Sequence, residues 1–329
     1  MKLFTSLINT IKEHFRLKLI ICFILCAILP LLILGTISYK ISYNIAKDKI
    51  LKETAISCEK NQHLLENRMT QIENLEDSIH FNLCMLCTTA EQPMSNYLDK
   101  LSAVRNNIAS IADSFNIYHV NIFLPDDSFA SKEGLTFCSL SDLKKYKVQL
   151  SDFSKQGLTP NWIFRKDINF PYMVSKGEEP SGVLSCYRYA KINSQKTCLA
   201  VHITSEELSN YLNTFSEGNP SLSYIINSEG VVLSSTDKKQ IGGSLSNEKL
   251  HAITQNLRLS HFSYDKCEII STPVHNQLFL VTETPDYYIR QSSSFLVKMI
   301  FICFMIIVPL TMLSIIWVAD QMTNKINHL

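Results

Sequence analysis

The chain has 329 residues, with 31 basic and 30 acidic side chains, so its formal net charge is only +1. That balance argues against a polyanionic partner, and no nucleic acid is expected. The hydrophobic share, 46%, is close to a globular average, but the apolar residues are concentrated in two blocks near the ends.

The first block runs from Leu19 to Tyr39 and contains no charge. A hydrocarbon core about 30 Å thick is crossed by roughly 20 helical residues, so this block is expected to be a transmembrane helix. A cleaved signal peptide would have a shorter apolar core and a small-residue cleavage site, and neither is present. Residues 1–18, with Lys2, Lys12, Arg16 and Lys18, are expected to lie in the cytoplasm. The second block, Leu296 to Val318, has Lys298 as its single charge and is the second expected span. Both termini would then be cytoplasmic, with residues 40–295 outside the cell membrane.

Between the blocks the first pattern is helical. Leu65, Met69, Ile72, Leu75 and Ile79 recur at steps of three and four, and no proline or glycine occurs from Thr36 to Gln92. One long helix is expected, followed by a second from Met94 to Asp113 with Leu98, Leu101, Val104, Ile108 and Ile111 on one face. These stripes suit packing on the rest of the domain, a seam between two copies, or both.

From Tyr118 to Leu124 the sequence turns β-branched and aromatic, and Pro125-Asp126-Asp127 ends the strand. Gly182 to Ala190 and Thr197 to Ile203 predict two paired strands, and a short helix should follow from Ser205, with Ser205 as N-cap. A similar order then recurs. Ser221–Asn227 and Gly230–Ser235 flank a hairpin turn at Ser228-Glu229, Asn247–Gln255 is helical, and His261–Ser271 pairs with Gln277–Thr284 through Pro273–Asn276.

The order of span, long helix, two successive PAS-like modules and second span resembles the double Cache (dCache) ectodomain of bacterial receptors. The stretch Tyr224–Ser235 followed by Asp237–Gly242 is similar to the signature of the second Cache module, with positive φ expected at Gly230 and a side-chain-free position at Gly242. Pro30–Tyr39 with the helix after it resembles Firmicute YesM-type sensor histidine kinases, and Asp320–Leu329 resembles the start of a HAMP linker, departing at Lys325 where proline is common. The resemblance implies an α+β fold: a long N-terminal helix with two antiparallel-sheet modules, about 115–212 and 221–290, flanked by residues 19–39 and 296–318 as spans. Residues 319–329 would begin the linker.

The same resemblance implies a membrane receptor that senses an extracellular small molecule, as the sensory part of a two-component histidine kinase. A chemoreceptor, a membrane-bound transcription regulator and a protein-binding scaffold are the alternatives. Its expected partners are the ligand, membrane lipid, a second copy in a homodimer, and a cytoplasmic kinase or response regulator. No kinase chemistry follows Leu329, so the chain reads as the sensory portion of a longer receptor or as a receptor without its own output. Ile79-His80-Phe81-Asn82 is similar to a phosphoacceptor box but lacks its proline and falls on the outer side.

In double Cache domains the small molecule usually binds the first module. The amino-acid-binding members carry an Arg-x-Trp-Tyr run, whereas this chain has Asn161-Trp162-Ile163-Phe164-Arg165. The expected ligand is therefore a sugar or another uncharged organic, with Trp162, Tyr172, Tyr187, Arg188 and Tyr189 as candidate contacts. These rings fit ordinary core and surface positions equally well.

Seven cysteines lie outside the blocks: Cys58, Cys84, Cys87, Cys138, Cys186, Cys198 and Cys267. Cys186 and Cys198 sit on strands expected to pair and form a candidate disulfide, against the alternative of free buried thiols. Cys84-x-x-Cys87 has no second metal-ligating pair, so no metal and no cofactor are expected. None of the histidines falls in a hydrolase or protease spacing, so no catalytic residue is expected.

Overall fold

A computed structural model describes residues 15–87, 94–146, 160–166, 179–192, 195–212, 219–255, 258–275 and 278–327. The fold is α+β and comprises two compact units, one of residues 1–52 with 286–329 and one of residues 53–285. Helix α1 spans Phe15–Cys87, with Pro30 inside it, and belongs to both units. Helix α2 is Met94–Ser114, and the C-terminal helix α5 is Asp286–Asn327.

In the first unit, a Cβ on Gly35 of α1 would lie 3.0 Å from the Phe304 ring of α5, so the two helices touch there. Leu29, Leu32 and Ile33 on α1, and Phe301, Met305 and Leu313 on α5, are exposed. Among the described residues, Lys298–Val318 is a helical stretch long and apolar enough to cross a membrane, with mean hydropathy 2.8 and none of it buried.

In the second unit, ten strands among the described residues form two five-stranded sheets. The first module contains β1 (His119–Leu124), β2 (Phe137–Ser139), β3 (Asn161–Arg165), β4 (Val183–Ile192) and β5 (Gln195–Thr204), followed by helix α3 (Ser205–Ser209). The second contains β6 (Leu222–Ile226), β7 (Val232–Ser235), helix α4 (Asn247–Thr254), β8 (Ser260–Tyr264), β9 (Cys267–Val274) and β10 (Leu278–Pro285). The spatial orders, β2-β1-β5-β4-β3 and β7-β6-β10-β9-β8, are the same arrangement built twice. All neighbours are antiparallel except the parallel β1–β2 pair.

The predicted apolar stripe of α1 is buried at every position, Leu65, Met69, Ile72, Leu75 and Ile79. These side chains fill the domain's own core, so this stripe is not a seam between copies. On α2 only Ile108 of the predicted face is fully buried, and Leu98 is exposed.

Three local expectations need correction. The N-cap of α3 is Thr204, whose hydroxyl accepts from Glu207 N at 3.1 Å, while Ser205 is already helical and donates to Leu233 O. His261–Ser271 is two strands: Asp265 and Lys266 both take positive φ, the geometry of a tight hairpin turn. Pro273 lies inside β9, where its missing N–H is tolerated because β8 pairs only as far as Ser271.

Candidate functional site

Strand β4 sorts the candidate residues onto two faces, because side chains alternate along a strand. Tyr187 and Tyr189 point to the outer face, where Tyr187 packs with Phe123, Cys138, Leu143, Cys198 and Ala200, and Tyr189, Ile163 and Leu140 lie partly buried against that cluster. Cys186 and Arg188 point the other way, towards α1. Trp162 pairs with Cys186 across β3–β4 and shares its face. Tyr172 lies outside the described residues.

On the α1 face the polar groups serve the helix. Arg188 Nε donates to Glu76 Oε2 at 3.2 Å, Nη2 donates to the Glu73 carbonyl at 3.3 Å, and Nη1 pairs with Asp77. Trp162 Nε1 donates to Glu73 Oε1 at 3.1 Å. Glu76 is fully buried, and that burial pushes its carboxyl up to about 8 in spite of the neighbouring guanidinium. Trp162 and Arg188 are thus committed to α1 rather than to a ligand on the outer face.

The candidate disulfide is excluded by register. Cys186 faces Val201 and Cys198 faces Tyr189, three positions out of step, so the thiols lie on opposite faces of the sheet. Both are free and buried. Pairing continues past the expected strand ends at Ala190 and Thr197 to Ile192 and Gln195, so the connection is shorter than the strand bounds predict.

Beside Tyr187 the outer face carries a buried polar chain that the sequence spacing did not reveal, since its members come from three strands. Ser185 Oγ lies 2.7 Å from His202 Nδ1, and His202 Nε2 lies 3.0 Å from Asn121 Oδ1. The Asn121 amide nitrogen donates to Leu135 O at 2.8 Å, which turns its oxygen towards His202. An amide oxygen only accepts, so His202 carries its proton on Nε2 and Ser185 donates to Nδ1. Burial, with His119 stacked 6.2 Å away, holds the imidazole well below its usual range. The order of groups imitates a nucleophilic triad, but Ser185 and His202 are both wholly buried. The chain stitches β1, β5 and β4 together.

The equivalent face of the second module is closed. Tyr224 packs with Ile226, Val232, Ile253, Ile269, Phe279 and Val281 beneath α4. Lys249 of α4 donates to Glu283 Oε1 at 2.5 Å, sits 5.7 Å above the Tyr224 ring, and leaves the Tyr224 hydroxyl to bond the same carboxylate. Cation, carboxylate and phenol satisfy one another.

A cavity of about 570 Å³ lies between the start of β1, α3 and Lys238, lined by Asp113, Glu179, Glu206 and Glu207 among others. It contains none of the predicted contacts. Two of its carboxylates are engaged, Glu206 by Ser181 N at 3.0 Å and Glu207 by Arg68 at 3.3 Å. Among the described residues, no group of three or more His, Cys, Asp or Glu side chains is placed to hold a metal ion.

No protein-family model matches this chain, and no curated protein matches it either. Solved structures do. The periplasmic sensory domain of the Campylobacter jejuni chemoreceptor Tlp1 is similar with a TM-score of 0.55 and 14% identity, covering 73% of this chain and 98% of that one. The sensory domain of the Campylobacter jejuni chemoreceptor Tlp3 with isoleucine bound is similar with a TM-score of 0.50 and 15% identity, covering 75% and 97%. The extracellular domain of rpHK1S-Z16, assigned as a histidine kinase, has a TM-score of 0.53 and 15% identity over 73% and 96%. At such identities the likeness establishes the fold: a long N-terminal helix with two Cache-like modules.

Proposed function

We propose that this chain is the sensory part of a membrane receptor, with residues 40–295 outside the membrane and an uncharged small molecule bound on the outer face of the first module. The observation that carries the choice of module is the contrast between two equivalent faces. The second is filled by its own Lys249–Glu283–Tyr224 set, whereas in the first Tyr189 lies only partly buried over the apolar cluster around Tyr187. Aromatic faces with a polar tip suit a sugar or another neutral organic molecule. Likeness to sensory domains of chemoreceptors and of an assigned histidine kinase supports the receptor reading.

Exposed apolar side chains such as Leu25, Leu29 and Leu32 in the first block, and Phe301, Met305 and Leu313 in the second, support two spans, since contiguous apolar area on that scale is not tolerated in water. Both termini are then cytoplasmic. The second span would lead into a HAMP-type linker from Asp320, and a YesM-type kinase is the favoured output, ahead of a chemoreceptor or transcription regulator. A homodimer is the favoured assembly.

Calorimetry on the full chain in nanodiscs, against a panel of sugars, neutral metabolites and free amino acids, tests the ligand. Binding of a neutral compound that weakens about tenfold in Tyr189→Ala supports the reading; silence across the panel, or binding indifferent to Tyr189, counts against it. Protease added to intact cells should digest residues 40–295. Protection of that segment would refute the topology.

A further inference from the structure

Trp162 and His275 belong to different modules, yet both bond the same oxygen. Trp162 Nε1, on β3 of the first sheet, donates to Glu73 Oε1 at 3.1 Å. His275 Nε2, at the end of β9 in the second sheet, lies 2.8 Å from that oxygen, and a carboxylate only accepts, so His275 donates. Glu73 stands on α1, and its backbone carbonyl takes a third bond from Arg188 on β4. One helical turn, Glu73 to Asp77, therefore receives three side chains from two sheets.

We infer that Glu73 is a positioning residue that couples the two modules: its carboxylate transfers displacement of β3–β4 to the β9–β10 hairpin. A shared acceptor makes the two bonds interdependent. If β3 shifts along α1, Oε1 either follows Trp162 and stretches the bond to His275, or stays and loses Trp162. Arg188 adds direction, because it holds β4 to the same turn through Glu76 and Asp77, so β3 and β4 move against α1 together. On the far side, β9 and β10 pair along their whole lengths, and β10 ends at Pro285, immediately before α5 begins. Displacement of the hairpin thus reaches the strand that continues into the C-terminal helix.

The inference does not depend on any ligand, and its test uses none. Hydrogen exchange of the full chain in nanodiscs is followed in peptides covering β9–β10. Trp162→Phe keeps an aromatic side chain on β3 but removes the indole N–H that bonds Glu73, together with the second ring of the indole. It should accelerate exchange in β9–β10 of the second module about threefold or more. The same substitution placed on His275→Ala should add nothing there, because the route has been cut. Glu73→Ala should loosen β3 and β9–β10 at once. Unchanged β9–β10 exchange in Trp162→Phe overturns the inference, and so does an undiminished effect in the His275→Ala background. Should Trp162→Phe not fold, Glu73→Ala decides alone, and loosening confined to one module is the overturning result.

Discussion

Glu76 of α1 and Arg188 of β4 meet at 3.2 Å, with the carboxylate wholly buried and the guanidinium largely so. Burial prevails over attraction here, and the carboxyl keeps its proton to about pH 8. Cys186 and Glu73 also face it, and Asp77 takes the other end of the guanidinium. The folded pKa is raised above the unfolded one, so the native state binds more protons between the two values. Stability contributed by the neutral carboxyl is complete below about pH 4.5 and is lost as pH rises through about 8. Urea midpoints of the full chain in detergent should fall between pH 5 and 9. Glu76→Gln should flatten that slope, and an unaltered slope would show that another group titrates.

Arg188→Met removes a clamp whose loss the carboxyl can partly accommodate by staying protonated. The expected cost is about 1–3 kcal/mol near pH 6, the range for leaving buried polar groups without a partner. At pH 9 the cost should be larger, since an ionised buried Glu76 would then stand alone. Equal losses at the two pH values would contradict the protonation assigned to Glu76.

The thiols give an independent check on which strand faces are closed. Burial pushes Cys58 up to about 12 and Cys138 up to about 11, and holds Cys186 and Cys198 well above the usual thiol range. Two pH units correspond to about a hundredfold less thiolate, the reactive form. In the native chain Cys84 and Cys267, which are partly exposed, should alkylate well before those four. Mild oxidation should leave Cys186 and Cys198 unbridged, and mass spectrometry of peptides reads both outcomes.

Much of the architecture was legible because it is local. The stripe Leu65–Ile79 has helical period, and all five positions are buried. Gly230 and Gly242 were expected to need left-handed or side-chain-free geometry and have φ of 80° and 77°. What escaped was non-local. The face occupied by Trp162 and Arg188 depends on the β3–β4–β5 register, and a one-residue slip would reverse it. Asn121, Ser185 and His202 meet only after three strands pair. The β8–β9 turn was missed for a different reason: Asp265 and Lys266 adopt positive φ without glycine, so the chain reads as one strand.

Gly230 tests the turn directly. Its φ of 80° is costly for an L residue, and a Cβ would lie 3.1 Å from Leu250 on α4. Gly230→Ala should cost about 1–2 kcal/mol. Gly230→Asn, which tolerates that region better, should be milder if backbone strain dominates and no milder if contact with Leu250 does. Thermal unfolding of both variants separates the two causes.

The sealed face of the second module can be opened on one side or both. Lys249→Met strips Glu283 of its cation and leaves the carboxylate with the Tyr224 hydroxyl, in a site where each charged side chain is 15% exposed. That loss should cost about 1–3 kcal/mol. Replacing the pair together, Lys249→Met with Glu283→Leu, removes both charges and should recover part of the loss, since an apolar pair of similar volume avoids the desolvation that a buried ion pair carries. The phenol is held well above its usual range by burial and by Glu283, so it remains a donor throughout and loses its acceptor in the double variant, which limits the recovery. Non-additive unfolding energies would identify the three groups as one closed network. Strict additivity would mean that Lys249 acts alone, and the second module's outer face would then regain its standing as a place for a ligand.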